Sequence, residues 1–135
     1  MKNYTSYDLI EWGKPFEKSQ HALPEPTLSE VLIRVTAAGL CHSDLHVQKG
    51  YMDLGEEGRL TFAERGAQLP MTFGHEIAGI VEAVGDKVKN VSIGQQVLVF
   101  PWIGCGDCLA CNENRESDCS AMRIIGLKQK GGFAT

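Results

Sequence analysis

The 135 residues are 43% apolar and 22% charged and include 15 glycines, a composition that suits one globular domain rich in turns and strands rather than in long helices. A formal charge of -4, with a pI near 5.5, leaves no basic face for nucleic acid. No apolar run approaches the roughly 20 residues that cross a bilayer, and residues 1–10 lack the apolar core of a secretory signal, so the expectation is a cytoplasmic protein with neither membrane nor nucleic-acid partner, whose thiols stay reduced.

In chain order, the first thirty residues hold two short extended segments on either side of Lys14-Pro15. A polar, proline-punctuated connection follows over residues 19–26, in which His21 reads as a surface histidine. Residues 31–37 are β-branched and alternate, with Val31, Ile33 and Val35 on one side, and read as a strand that Gly39 breaks. Residues 41–50 read as a short helix. Ser43 is the expected N-cap, Asp44 suits the positive end of the helix dipole, and Gly50 is a fitting stop. From 51 to 71 the pattern dissolves into a long loop with one short helical piece expected at 60–65, and connections of this length tend to be lids or binding loops. Residues 77–84 and 96–100 read as strands, with turns at Gly85-Asp86 and Ile93-Gly94. Residues 131–135 read as the entrance to a further strand rather than as a natural terminus. The fold class expected from this pattern is mainly β with short helices, a barrel or a sandwich.

Four of the five cysteines, Cys105, Cys108, Cys111 and Cys119, are spaced C-x2-C-x2-C-x7-C. Thiolates at such intervals can share one ion because the backbone curls back within a turn, and four sulfurs close a tetrahedron with no position left for substrate. Structural zinc is the first reading of this lobe, over about residues 104–120. Disulfides and an iron–sulfur cluster are the rivals: a reducing compartment disfavours the former, and the ferredoxin run continues x3-C-P where this one has seven residues and then Ser120. The fifth cysteine, Cys41, falls where a strand gives way to a helix, and Gly74-His75-Glu76 opens a later strand. A thiolate and an imidazole on two strand ends can bind a second ion. On spacing alone, a small buried cysteine and a packed histidine account for the pair equally well.

Gly74-His75-Glu76-Ile77-Ala78-Gly79, with Gly85 after five further residues, matches G-H-E-x2-G-x5-G. That pattern resembles the zinc-containing alcohol dehydrogenases of the medium-chain dehydrogenase/reductase family. Cys41-His42-Ser43-Asp44 looks like the family's catalytic-zinc loop, and the four-cysteine lobe looks like its structural-zinc lobe. The resemblance covers essentially the whole chain, residues 1–135, and implies the family's N-terminal catalytic domain, a twisted β-barrel similar to the GroES co-chaperonin.

It further implies that Cys41 and His75 are two of three ligands to a catalytic zinc, and that Cys105, Cys108, Cys111 and Cys119 hold a structural one. Glu76 would adjoin the catalytic ion, and Asp44 would orient the ligating histidine. Ser43 would take the alcohol proton and His46 release it to solvent, while His42 would lie near the cofactor pyrophosphate. Trp102 resembles an aromatic that lines the substrate pocket. Asn114 stands where relatives carry glycine, and asparagine best tolerates a left-handed backbone there. Gly79 is expected at a close backbone approach and Gly85 at a turn. The loop over 49–73 is longer than is usual for the family and would hang near the substrate cleft, which leaves the substrate class open and admits a bulkier alcohol or aldehyde.

No G-x-G-x-x-G and no alternating strand–helix pattern occurs, so the Rossmann half is expected to be absent from this chain. The resemblance implies that this half carries NAD or NADP and the main surface for homo-oligomers, and that the third catalytic-zinc ligand lies beyond residue 135. Two functions follow: the catalytic portion of a zinc-dependent, NAD(P)-linked alcohol dehydrogenase, inactive alone, or a non-enzymatic zinc-binding or interaction module.

Overall fold

The computed structural model describes residues 2–135. Ten strands and two helices follow in chain order: β1 (Asn3–Leu9), β2 (Glu17–Ala22), β3 (Val31–Gly39), α1 (His42–Lys49), β4 (Tyr51–Asp53), β5 (Arg59–Thr61), β6 (Met71–Thr72), β7 (Glu76–Val84), β8 (Gln96–Val99), β9 (Trp102–Ile103), α2 (Leu109–Asn112) and β10 (Arg123–Ile124). The fold is mainly β with short helices, as expected. No helix among the described residues is long and apolar enough to cross a membrane.

Two three-stranded antiparallel sheets carry the architecture, one in the order β2-β1-β6 and the other in the order β3-β7-β8. Alternation along β7 turns Ile77 and Val81 inward, and these meet Leu9 of β1 and Phe73 in the core. Phe16 and Phe133 close that core around Phe73: Phe16 stands edge-on to Phe73 at 5.4 Å and to Phe133 at 6.0 Å. Gly79 is required where β7 crosses β3, because a Cβ there would lie 2.6 Å from the Arg34 carbonyl oxygen.

Several expectations need correction. The polar stretch 19–26 is not a connection throughout, since β2 runs through Ala22 and pairs residue by residue with β1. Its burial alternates between exposed and half-buried, so a polar sequence suffices for an outer strand. His21 is not a free surface histidine. Its Nε2 lies 3.0 Å from Asp8 Oδ2, and its ring stacks on Tyr4.

The stretch 60–65 is not helical. Residues 59–61 form β5, which pairs with β4 as a hairpin, and Arg59 caps it by lying 4.3 Å above the Tyr51 ring. Gly85 lies in a turn closed by the Val88 N–H on its carbonyl, and it also abuts the Thr27–Leu28 backbone, where a Cβ would overlap the chain.

Residues 133–135 lie along β1, with one antiparallel bridge between Ser6 and Ala134. The Tyr7 N–H donates to the Phe133 carbonyl at 2.8 Å, and the Thr135 N–H donates to the Thr5 carbonyl at 2.8 Å.

Candidate metal centres

The first centre follows from antiparallel pairing. β3 and β7 run in opposite senses and their last paired residues are Gly39 and Glu76, so the residues just beyond β3 meet those just before β7. Cys41 and His75, far apart in sequence, become neighbours. Cys41, His75 and Glu76 each offer a ligand atom, and these atoms lie within 4.8 Å of one another.

Two local devices aim these side chains. Cys41, not Ser43, is the N-cap of α1, with extended φ and ψ of -93° and 153°. Asp44 is therefore the third helical residue, and its Oδ2 accepts the Cys41 N–H at 2.9 Å. The other oxygen, Oδ1, lies 3.5 Å from His75 Nδ1. One buried carboxylate, 4% exposed, thus ties both members of the pair to the first turn of α1. Gly50 ends the helix at a φ of 89°, accepting no side chain where the chain turns against Trp12.

On the other side, Gly74 enters β7 at a φ of 92°, with the Phe133 ring packed against it. The Gly131 N–H donates to the Thr72 carbonyl, the Phe133 N–H to the Phe73 carbonyl and the Gly132 N–H to the Gly74 carbonyl, all within 2.9 Å. This clamp behind His75 was not legible beforehand. Its one signal was the Gly131-Gly132 pair, the sort of sequence that lets backbones approach closely.

Freed from the cap, the Ser43 hydroxyl lies 3.4 Å from His75 Nε2. His46 does not join it. Its ring packs edge-on against that of His42 at 4.8 Å, so these two form a separate pair along α1. Trp102 lies on β9 and is exposed.

The second centre is the lobe between β9 and β10, whose pairing brings the chain back to its point of departure. Cys108 precedes α2, Cys111 lies within it, and Cys119 follows a single 3-10 turn over Glu116–Asp118. The four sulfurs lie within 4.8 Å of one another. The Cys105 N–H points at Cys119 Sγ and the Cys108 N–H at Cys105 Sγ, each at 3.4 Å. Asn114 holds the expected left-handed conformation, with a φ of 56°, and Arg115 spans Glu113 and Asp118 at 2.7 and 2.6 Å.

Backbone N–H groups at Asp107 and Cys108 pull the Cys105 thiol down to about 6. An N–H at Gly106 pulls on Cys111 in the same direction, but burial and the three neighbouring sulfurs outweigh it and push that thiol up to about 12. All five cysteines are free. Four sulfurs this close repel one another once ionised, so the donor set fits one thiophilic cation. The mixed S, N, O set at Cys41, His75 and Glu76 fits a borderline cation with a further position open.

Known proteins share this arrangement of strands. The description "Alcohol dehydrogenase GroES-like domain" matches residues 27–135. An NAD-dependent alcohol dehydrogenase of Sulfurisphaera tokodaii is 42% identical over 127 residues, 93% of this chain and 35% of that protein. The D-arabinose dehydrogenase of Sulfolobus solfataricus superposes with a TM-score of 0.78 at 31% identity, covering 99% of this chain and 36% of that one. A cobalt- and zinc-bound thermostable alcohol dehydrogenase from Pyrobaculum aerophilum gives 0.79 at 28% identity, covering 98% and 38%. The chain thus spans about a third of the length of these relatives. Since the match takes in both strands that bring Cys41 to His75 and the whole cysteine lobe, the chain belongs to the alcohol dehydrogenase GroES-like domain family.

Proposed function

We propose that this chain is the catalytic-domain portion of a zinc-dependent dehydrogenase that interconverts alcohols with aldehydes or ketones by hydride transfer to NAD or NADP. The observation that carries this reading is the convergence of Cys41, His75 and Glu76 ligand atoms within 4.8 Å at the paired ends of β3 and β7. Zinc held there supplies Lewis acidity that favours loss of the alcohol's proton near neutral pH.

The chain's own residues supply the rest. Asp44 fixes Cys41 through its N–H and faces His75 Nδ1, leaving Nε2 as the nitrogen for the ion. The Ser43 hydroxyl, 3.4 Å from that Nε2, would accept the alcohol proton. His46, whose ring packs edge-on against that of His42, is the group that releases the proton to solvent, and His42 is the one near which the cofactor pyrophosphate rests. Cys105, Cys108, Cys111 and Cys119 hold a structural zinc. Hydride acceptance and assembly into a homo-oligomer belong to a dinucleotide-binding half that the relatives' greater length accommodates.

A second reading, a zinc-binding interaction module, draws on the edge strand β8, where Leu98 is 86% exposed and Phe100 beyond it 64%. One experiment separates the two. Metal content by plasma mass spectrometry, without added metal, is expected at about two zinc ions per chain, falling to about one in His75→Ala. Joined to the dinucleotide-binding half of a relative, the wild-type chain is expected to oxidise alcohols and the Cys41→Ala chain is not. The chain alone is expected to turn over nothing. One zinc in the wild type, unaffected by His75→Ala, with no activity in the joined protein, would leave the interaction module. Iron with labile sulfide would overturn both.

A further inference from the structure

Glu76 meets the Cys41–His75 pair from an unusual direction. It is the first residue of β7, and its partner across the ladder is Gly39, the last residue of β3. Directly opposed residues carry their Cβ atoms about 4.5–5.5 Å apart on the same face. A side chain at position 39 would therefore stand in the space that the glutamate crosses. A Cβ built on Gly39 would lie 3.0 Å from Glu76 Cβ and 3.3 Å from its Cδ, and would overlap Oε2. These are its three nearest heavy atoms, and all belong to Glu76.

The backbone itself does not call for glycine here, because Gly39 is not among the residues of positive φ. Nor does packing of the main chain. Added Cβ atoms at Gly79, Gly85 and Gly131 would overlap backbone atoms, which cannot yield, whereas at Gly39 the overlapped atom is the far end of the exposed Glu76 side chain, with Glu76 Cβ a tight but not overlapping 3.0 Å away. What the missing Cβ preserves is the path of the Glu76 carboxylate toward the sulfur and imidazole.

We infer that Gly39 is a positioning residue, which keeps open the space through which Glu76 folds over the end of β3 and contributes its oxygen to the Cys41–His75 centre. This inference rests on the reading that those three residues hold an ion. Alanine at 39 turns the carboxylate away and asks the paired strand ends to give only a few tenths of an ångström where its Cβ meets Glu76 Cβ.

The test begins on the metal-free chain by NMR, where nuclear Overhauser effects are expected between the Gly39 Hα protons and the Glu76 side chain. Cobalt is then titrated into chains whose cysteine lobe already carries zinc. Gly39→Ala and Glu76→Ala are each expected to weaken the second site by about tenfold, the scale on which metal sites lose affinity when a supporting group is removed. The double variant is expected to be no weaker than Glu76→Ala alone, and the β3–β7 amide resonances of Gly39→Ala are expected to keep their wild-type pattern. Unchanged cobalt affinity in Gly39→Ala overturns the inference. So does a further loss when Gly39→Ala is added to Glu76→Ala, since Gly39 would then act through the strand and not through the carboxylate. A wild-type chain that takes up no second ion overturns the metal reading and the purpose assigned to Gly39 with it; the Overhauser contacts, present or missing, then locate the failure in that reading or in the contact itself.

Discussion

Asp44 holds together two tasks that can be separated by substitution. Its carboxylate satisfies the Cys41 N–H at the start of α1 and faces His75 Nδ1, while being 4% exposed. Removing it in Asp44→Ala strands a buried donor, which costs about 1–3 kcal/mol of stability. The same change frees the imidazole and is expected to lower second-site metal affinity by roughly 10–100-fold. Asp44→Asn keeps an oxygen for the N–H and loses the charge, so urea denaturation should show a smaller stability loss than in Asp44→Ala, while the fall in metal affinity persists. Parallel losses in both measurements, in both variants, would mean that Asp44 only caps the helix. The sequence made Asp44 visible as a first-turn acid, but it pointed to Ser43 as the cap. The error has a physical root: cysteine is a poor capping residue by propensity, yet here the acid at the third helical position satisfies the N-terminal amide, and Cys41 needs only extended dihedrals to precede the helix.

Between β1, β2 and β6 lies a polar knot that the pattern of single strands could not reveal. The Thr72 hydroxyl donates to Asp8 Oδ1 at 2.6 Å, and His21 Nε2 stands 3.0 Å from Oδ2. Burial pushes the Asp8 carboxyl up, but hydrogen bonds led by that from Thr72 outweigh it and hold the group below its ordinary value of 3.8. A carboxyl depressed in the folded state contributes stability that is complete above its unfolded value and is lost as pH falls through the folded one. Acidification below 3.8 should therefore weaken the β2-β1-β6 sheet. Thr72→Val, which removes a hydrogen bond to a charged group, is expected to cost roughly 1.5–3 kcal/mol near pH 7. The deficit should shrink in acid, once Asp8 is protonated in both proteins, and thermal unfolding across pH 2–7 is the measurement. A deficit independent of pH would assign Thr72 to packing alone. The strands β3 and β7 were legible in advance because their inward residues are apolar and alternate, although the two register shifts in their ladder, between Leu32 and Ile33 and between Val35 and Ala37, were not. β2 and the β4–β5 hairpin were not. Their residues are largely polar or exposed, and partner strands and the Arg59–Tyr51 contact, rather than periodicity, define them.

At the scale of the whole molecule the chain has two centres of unlike construction, and they should respond differently to loss of metal. The sheet region is organised by buried Leu9, Phe73, Ile77 and Val81. In the lobe the side chain at the centre is Cys119, 5% exposed, while Leu109 is 71% exposed, so four sulfurs take the place of a core. The regular cysteine spacing made this lobe the most legible feature of the sequence, because ligand geometry needs nothing from distant elements. The Cys41 centre needed the β3–β7 register before it could be seen. A structural zinc ion contributes an apparent 10–16 kcal/mol in small peptides at pH 7, far more than this lobe's exposed contacts supply. Chelation is therefore expected to abolish hydrogen-exchange protection at the amides of Cys105 and Cys108, held by sulfurs, of Asn112 in the short α2 turn, and of Cys119, held by the Glu116 carbonyl of the 3-10 turn. Amides of β3 and β7 should keep theirs. The segment that leaves the lobe runs into residues 131–133 behind His75, but it is anchored there by its own bonds to Thr72, Phe73 and Tyr7. Cys119→Ser should thus lose one ion and the lobe's protection, while cobalt still binds at Cys41 and His75 with unchanged affinity. Simultaneous loss of protection in the lobe and in β7 would show instead that the cysteine centre holds up the whole fold, and that the site at the strand ends depends on it.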